Sequence, residues 1–325
     1  MTRDLRIDSL KGLLIILVIL GHVITHLDNI NQVNHAVMGA IYIFHMPLFI
    51  LLSGYFSKRP DEQSPSHMWR GILSLLTSLV IFHVLYSLWA SLLGVSFFVL
   101  IKSFPYGVLW YLLSLIYWRI MLYYTPQALF NKPWLYIGIA VALSILSGLT
   151  HLGNTMSIQR TLNFYVFFLL GYYYRHGMLP TKWWNNNILH GAICLVLLPI
   201  IFWLFPRCGN FMNGADHYAL ADLPQKALIL MCSISTSLLV FNVTRSNRLL
   251  SNIGRDSLFY FLYHIFFVNA LVIIDVMLLG YRLPSTFPFI LIYTTLIVMV
   301  LMLMHKIKLF QWLVHPYSWK RKTSL

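Results

Sequence analysis

Runs of about 20 predominantly apolar residues recur along this chain, and each is long enough to carry a helix across the roughly 30 Å hydrocarbon core of a bilayer. A sliding window of that length places about ten of them, near residues 9–27, 37–56, 71–94, 105–124, 134–149, 161–176, 188–205, 226–243, 257–279 and 287–305. The residue balance agrees. Hydrophobic residues make up 59% of the chain and charged residues 10%, where a soluble domain carries about 25% charged. Mean hydropathy is +0.73. The expected fold is therefore all-α, a polytopic integral membrane helix bundle. The fifth and sixth runs are short, and Val95 to Ile101 reads as a partial or re-entrant segment. The first run follows a basic stretch as a signal peptide would. It lacks an A-x-A-like cleavage site and carries His22, so it reads as a retained helix.

A net charge of +14 invites a nucleic-acid reading, but the placement of the basic residues argues for membrane topology instead. With the N-terminus inside, only Lys102, Arg160, Arg207, Lys226 and Arg282 of the 23 Lys and Arg fall at outer ends. Both termini are expected to be cytoplasmic. Trp312 and Trp319 beside the basic tail suit an interfacial anchor. Nothing marks a second domain, so residues 1–325 read as one domain with a core of about 5–305 and a basic tail at 306–325. The longest polar segments, Ser57 to His67 and Pro206 to Gln225, fit loops between helices. Cys194, Cys208 and Cys232 are odd in number and unpatterned, which supports neither a disulfide framework nor a metal site. His22 and His26 have metal-ligand spacing, but no third ligand accompanies them.

The first run, RIDSLKGLLIILVILGHVITHL, carries the sharpest functional signal. At about 100° per residue the eleven steps from Lys11 to His22 return to within roughly 20° of the start, so both lie on one helix face about 16 Å apart. Asp8 lies on nearly the same stripe. Ionisable side chains at membrane depth are expensive and face the bundle interior, so this stripe reads as a functional site.

The run RIDSLKGLLIILVILGH, followed by IFHMPLFILLSGYF at Ile43 to Phe56, resembles the start of the membrane acyltransferase 3 family, in the branch related to fucose 4-O-acetylases. LWYLLSLIYWR at Leu109 to Arg119, FFLLGYYYR at Phe167 to Arg175 and LLSNIGRDSLFYFLYH at Leu249 to His264 follow in the family's order, so the resemblance spans nearly the whole chain. It implies a roughly ten-helix enzyme of the bacterial inner membrane. Such an enzyme moves an acyl group, usually acetyl from acetyl-CoA, onto a hydroxyl of a cell-surface glycan or a lipid-linked sugar, with no permanently bound cofactor. Lys11 and His22 match the family's pair of a basic residue and a histidine, His45 matches the histidine before MPLF, and His264 matches the one closing the late segment. Arg70 falls near the basic residues that follow SGY. There the chain departs from the pattern, with one arginine where many relatives carry two.

Acyl transfer to an alcohol needs a base for the hydroxyl proton, donors for the developing oxyanion and positive charge for the phosphates of the acyl donor. A histidine, with an unperturbed pKa near 6.5, accepts a proton near neutral pH, whereas a lysine needs a large shift. His22 is thus the expected base, with His45 and His264 as further catalytic candidates. Lys11, Arg70 and Arg255, near the cytoplasmic surface, are the expected contacts to acetyl-CoA. An extended pantetheine arm covers the depth between Lys11 and His22. Each residue also has a plainer role: a hydrogen bond between helices for His22 and His264, packing for His45, snorkelling for Lys11. Asp8 is expected to cap the first helix or pair with Lys11 at i, i+3. His83, His26 and His35 read as structural. The competing class is a transporter or flippase with interior proton-relay histidines, against which stands the lack of a visible internal repeat.

Overall fold

The structure is a computed structural model that describes residues 4–27, 32–58, 64–92, 94, 96–204, 213–274 and 283–316. Arg59, Arg207, Cys208, Arg282, Trp319 and the end of the basic tail lie outside them, as do most of the loop after His26 and part of the segment before Gln225. The principal helices are α1 (Leu5–His26), α2 (Gln32–Tyr42), α3 (His45–Tyr55), α4 (Pro65–Ser91), α5 (Trp110–Tyr124), α6 (Pro133–Leu146) and α7 (Ile158–Arg175). They continue with α8 (Asn187–Leu204), α9 (Leu223–Val243), α10 (Arg248–Arg255), α11 (Ser257–Ile273), α12 (Phe287–Met304) and α13 (Lys308–Val314). No strand occurs among the described residues. The protein is an all-α membrane bundle.

Among the described residues six stretches are long and apolar enough to cross a membrane: Leu5–His26, Gln32–Tyr55, Pro65–Ser91, Phe97–Tyr124, Leu220–Val243 and Phe287–Met304. Pro133–Leu149, Asn187–Ile201 and Ser257–Leu271 form shorter apolar helices. The remaining expected run is α7, whose polar Gln159, Arg160, Thr161 and Asn163 dilute its hydropathy. Two boundaries differ from the sequence expectation. Helix α1 starts at Leu5, because the Asp4 carboxylate accepts from the amides of Arg6 at 2.9 Å and Ile7 at 3.4 Å. Asp4, not Asp8, is the cap. The run at 37–56 is not one helix: Pro47 has no amide hydrogen to continue the ladder and its ring crowds the preceding turn, so α2 stops at Tyr42 and α3 restarts at His45.

The chain folds into two compact units, one from residues 1–41, 73–109 and 244–325, the other from 42–72 and 110–243. In the first, α1 is the central helix and packs on α10, α11 and α12. A Cβ added to Gly12 would collide with the Leu250 carbonyl, and one added to Gly254 would collide with the Asp8 carbonyl. The α1 and α10 backbones therefore touch, an approach that only glycine allows. Ser9 fastens the same crossing: its hydroxyl donates to the Asn247 carbonyl at 2.9 Å and accepts from the Asn247 amide at 2.8 Å. Farther out, Tyr86 on α4 donates to the Leu262 carbonyl at 2.5 Å, and Ser78 donates to the Val314 carbonyl of α13 at 2.7 Å. His83 has a structural part here. Its Nδ1 accepts from the Tyr106 amide at 3.3 Å, so Nε2 carries the proton donated to the Ile101 carbonyl at 3.1 Å. The expected partial segment is thereby held as a short helix, Phe97–Lys102.

In the second unit α7 is central and packs on α3, α5 and α6. The same device recurs. A Cβ on Gly54 would strike the Phe168 carbonyl, and one on Gly171 would strike the Leu51 carbonyl. Polar side chains then tie the neighbours to α7: Trp118 donates to the Thr161 carbonyl at 2.8 Å, the Thr161 hydroxyl to that of Ser114 on α5 at 2.9 Å, and Tyr136 meets Tyr165 at 2.6 Å. These bonds satisfy groups that hydrocarbon would leave bare. On α8 and α9 the Cys194 and Cys232 thiols flank the Thr236 hydroxyl at 3.3 and 3.9 Å, and both are free cysteines.

Gly254→Ala and Gly54→Ala should each lower the unfolding temperature of the detergent-purified protein, by an overpacking cost of about 1–3 kcal/mol. Gly138→Ala on α6, where nothing lies within 4 Å of the new methyl, should not. Equal melting temperatures for all three variants would contradict the close crossings.

Candidate active site

The sequence stripe of Asp8, Lys11 and His22 lies on α1 as expected, but its members have different company. Lys11 Nζ sits 2.9 Å from the Asp8 carboxylate, and their side chains are only 19% and 6% exposed. The i, i+3 pair thus forms within one turn at the α1 and α10 crossing, with Gly12 and Gly254 immediately beside Lys11 and Arg255. Arg255, at the end of α10, is mostly exposed and lies 3.8 Å from Asp256, which also faces His305 Nε2 at 3.4 Å. Two of the three cations expected to meet the acyl donor therefore already sit beside a carboxylate.

Toward the other end of α1, His22 meets His264 of α11, ring centroids 5.2 Å apart at 40°. These two residues are 242 positions apart in the chain, and the packing of α11 on α1 brings them together. His264 is fully buried. Its Nδ1 lies 2.7 Å from the Phe261 carbonyl and 3.3 Å from that of Tyr260. A carbonyl only accepts, so Nδ1 carries the proton and Nε2 keeps its lone pair. That Nε2 is buried with no hydrogen-bond partner among the described residues. An unsatisfied buried polar atom costs about 1–3 kcal/mol. His26 stacks edge-on against His22, 5.9 Å between centroids, and its Nδ1 is 2.8 Å from the His22 carbonyl, one helical turn back. His26, expected from sequence to be structural, meets the His22 ring as its i, i+4 neighbour on the same helix.

The other two expected residues belong to the second unit. His45 is buried in the first turn of α3, its ring 4.9 Å from that of Tyr42. Arg70 is exposed on the early part of α4, with Nε donating to the Ser66 carbonyl at 3.1 Å. No group of three or more metal-ligating side chains exists among the described residues.

A histidine pair near one end of α1 and a largely buried ion pair near the other, on helices packed through glycines, mark a multi-pass membrane protein with polar groups in its interior. Comparison with known proteins identifies its family. The acyltransferase domain of the acyltransferase 3 family matches residues 4–304, nearly the whole described chain, and the protein belongs to that family. It is similar to the nodulation protein NolL of Mesorhizobium japonicum, 31% identical over 223 residues, which cover 61% of this chain and 54% of that protein. It is also similar to the nodulation protein NolL of Sinorhizobium fredii, 47% identical over 58 residues, covering 17% of this chain and 16% of that one. The matches thus span about half or less of the length of these relatives. No solved structure matches.

If Lys11 is held chiefly by Asp8, then Asp8→Asn should lower the melting temperature, because it strands a partly buried ammonium. The double variant Asp8→Asn with Lys11→Met should recover much of the loss. Destabilisation that is additive across the two substitutions, measured in a thermal double-mutant cycle, would show that the pair is not coupled.

Proposed function

We propose that this protein is a membrane O-acyltransferase, an O-acetyltransferase that takes its acyl group from acetyl-CoA and places it on a hydroxyl of a cell-surface glycan or of its lipid-linked precursor. Membership of the acyltransferase 3 family supports the reaction class. The observation that carries the reading to particular residues is the contact of His22 with His264, whose proton position is set by the Phe261 carbonyl. A buried histidine whose ring packs against a second one is suited to hold the orientation of that second ring, as orienting groups do for catalytic bases.

In this reading His22 removes the proton from the acceptor hydroxyl as its oxygen bonds to the thioester carbonyl carbon. The C–S bond then breaks, and the departing thiolate takes the proton back from the His22 imidazolium. Charge and protons balance, and His22 returns neutral. His264 is a positioning residue for His22. His45, by resemblance, is assigned to stabilising or orienting the acyl carbonyl. Lys11, Arg70 and Arg255 are assigned to the phosphates of the donor. Membrane lipids surround the bundle, the site is proposed to lie in the bacterial inner membrane with both termini cytoplasmic, and the asymmetry of basic residues supports entry of donor and acceptor from opposite faces.

His22→Ala should leave the protein inserted and folded while lowering acyl transfer by about 10²–10⁴, the usual contribution of a general base. His22→Gln should be equally inactive, and more than roughly a tenth of wild-type activity in either variant would remove His22 as the base. A second test addresses sidedness. Sealed inside-out vesicles should consume acetyl-CoA added outside them while modifying an acceptor trapped in the lumen; release of the unmodified acceptor from the lumen without release of free CoA would favour a transporter instead.

A further inference from the structure

In the second unit a cleft of about 200 Å³ opens between the end of α3, the start of α4 and the last turns of α5. Three basic side chains line it, Lys58, His67 and Arg119, together with Ser57, Gly71 and Tyr123. Among the described residues no carboxylate lines it, and none of the ion pairs involves these three. Arg119 interacts electrostatically with Tyr111, but that hydroxyl is already bonded to Ser53 at 2.5 Å. Gly71 lies close to the guanidinium: a Cβ there would come 3.8 Å from Arg119 Nη1, an ordinary van der Waals contact.

Cations that share a cleft at the edge of a membrane bundle repel one another, and the repulsion grows as the local dielectric falls. An anion between them reverses the sign. Among anions, phosphate fits this lining best, because an arginine fork binds two of its oxygens at once while lysine, imidazole and hydroxyl groups serve the others. Size narrows the choice further. Sites that enclose a whole drug-sized ligand run to about 300–1,000 Å³, so this cleft suits a single phosphate group with the rest of its molecule outside.

We propose that Lys58, His67 and Arg119 form a phosphate-binding site, distinct from the Lys11, Arg70 and Arg255 set. Two sources present such a group at this surface: the 3′-phosphate of coenzyme A, an arm that rests on the acyltransfer reading, and the headgroup phosphate of an anionic lipid. Arg119 ends the segment LWYLLSLIYWR, to which the proposed chemistry otherwise gives no part.

The test measures binding without turnover, so a chain that binds phosphate but transfers no acyl group would fail the functional reading and not this one. Purified full-length protein is titrated with coenzyme A and with dephospho-coenzyme A, and separately reconstituted in nanodiscs of phosphatidylglycerol or phosphatidylcholine, with melting temperature as the readout. If the nucleotide is the source, coenzyme A binds roughly tenfold or more tightly than its dephospho form, and Arg119→Gln erases the difference. If a lipid is the source, phosphatidylglycerol stabilises the wild type over phosphatidylcholine, and Arg119→Gln erases that instead. Arg119→Lys should keep part of either effect. Should Arg119→Gln fail to fold, Lys58→Gln at the exposed rim serves in its place. Retention of every phosphate effect in a folded variant, or no phosphate effect in the wild type, overturns the proposal.

Discussion

Contact between helix backbones at paired glycines is the constraint from which the rest of this structure follows. In a bilayer the hydrophobic effect no longer presses helices together, because lipid tails are as apolar as leucine. What remains is dispersion between surfaces in close contact, with hydrogen bonds where polar groups meet. Gly12 against the Leu250 carbonyl and Gly254 against the Asp8 carbonyl bring α1 and α10 as near as two helices can come. Gly54 and Gly171 do the same for α3 and α7. Each crossing sits at the hub of its unit, so the helices that pack around α1 or α7 inherit their positions from it.

The crossings also set where polar groups lie. Because Gly254 touches the Asp8 carbonyl, the turn holding Asp8 and Lys11 is fixed in a dry contact, where an unpaired ammonium is costly and a 2.9 Å carboxylate partner relieves that cost. Along α7, the polar residues that lower its hydropathy turn toward neighbouring helices: Thr161 bonds Ser114, Tyr165 bonds Tyr136, and Asn163 accepts from Ser144 at 3.2 Å. A helix with weak apolar character remains tenable in the bundle because these groups are buried against protein rather than lipid.

Legibility in the sequence follows how local each cause is. Hydropathy is local, so the apolar runs and the all-α class were readable, as was the i, i+3 pairing of Asp8 with Lys11. Asp4 as the cap was missed because the helix extends beyond its apolar run into residues whose only signal is a capping carboxylate. The break before His45 had its mark in Pro47, but a window of about 20 residues averages a single proline away. The meeting of His22 with His264 had no local sign at all, since 242 residues intervene. The family motif named both histidines without saying that they touch. Arg119 was read only as a basic residue at an inner end; its cleft requires three helices to converge.

The manner in which His264 is held bears on what a histidine site at membrane depth requires. In many enzymes a carboxylate orients the working imidazole, but a buried carboxylate in a low-dielectric bundle carries a desolvation penalty that only a nearby cation offsets. Here the orienting atom on His264 is the Phe261 carbonyl, a neutral acceptor that the helix supplies without adding a charge. It still selects one tautomer, because a carbonyl can only accept. The lone pair at Nε2 is then left buried with no hydrogen-bond partner among the described residues, on a side chain with 0% exposure. Proton transfer between neutral imidazoles and a hydroxyl creates charge only transiently, which is the arrangement that a low-dielectric site can hold at rest.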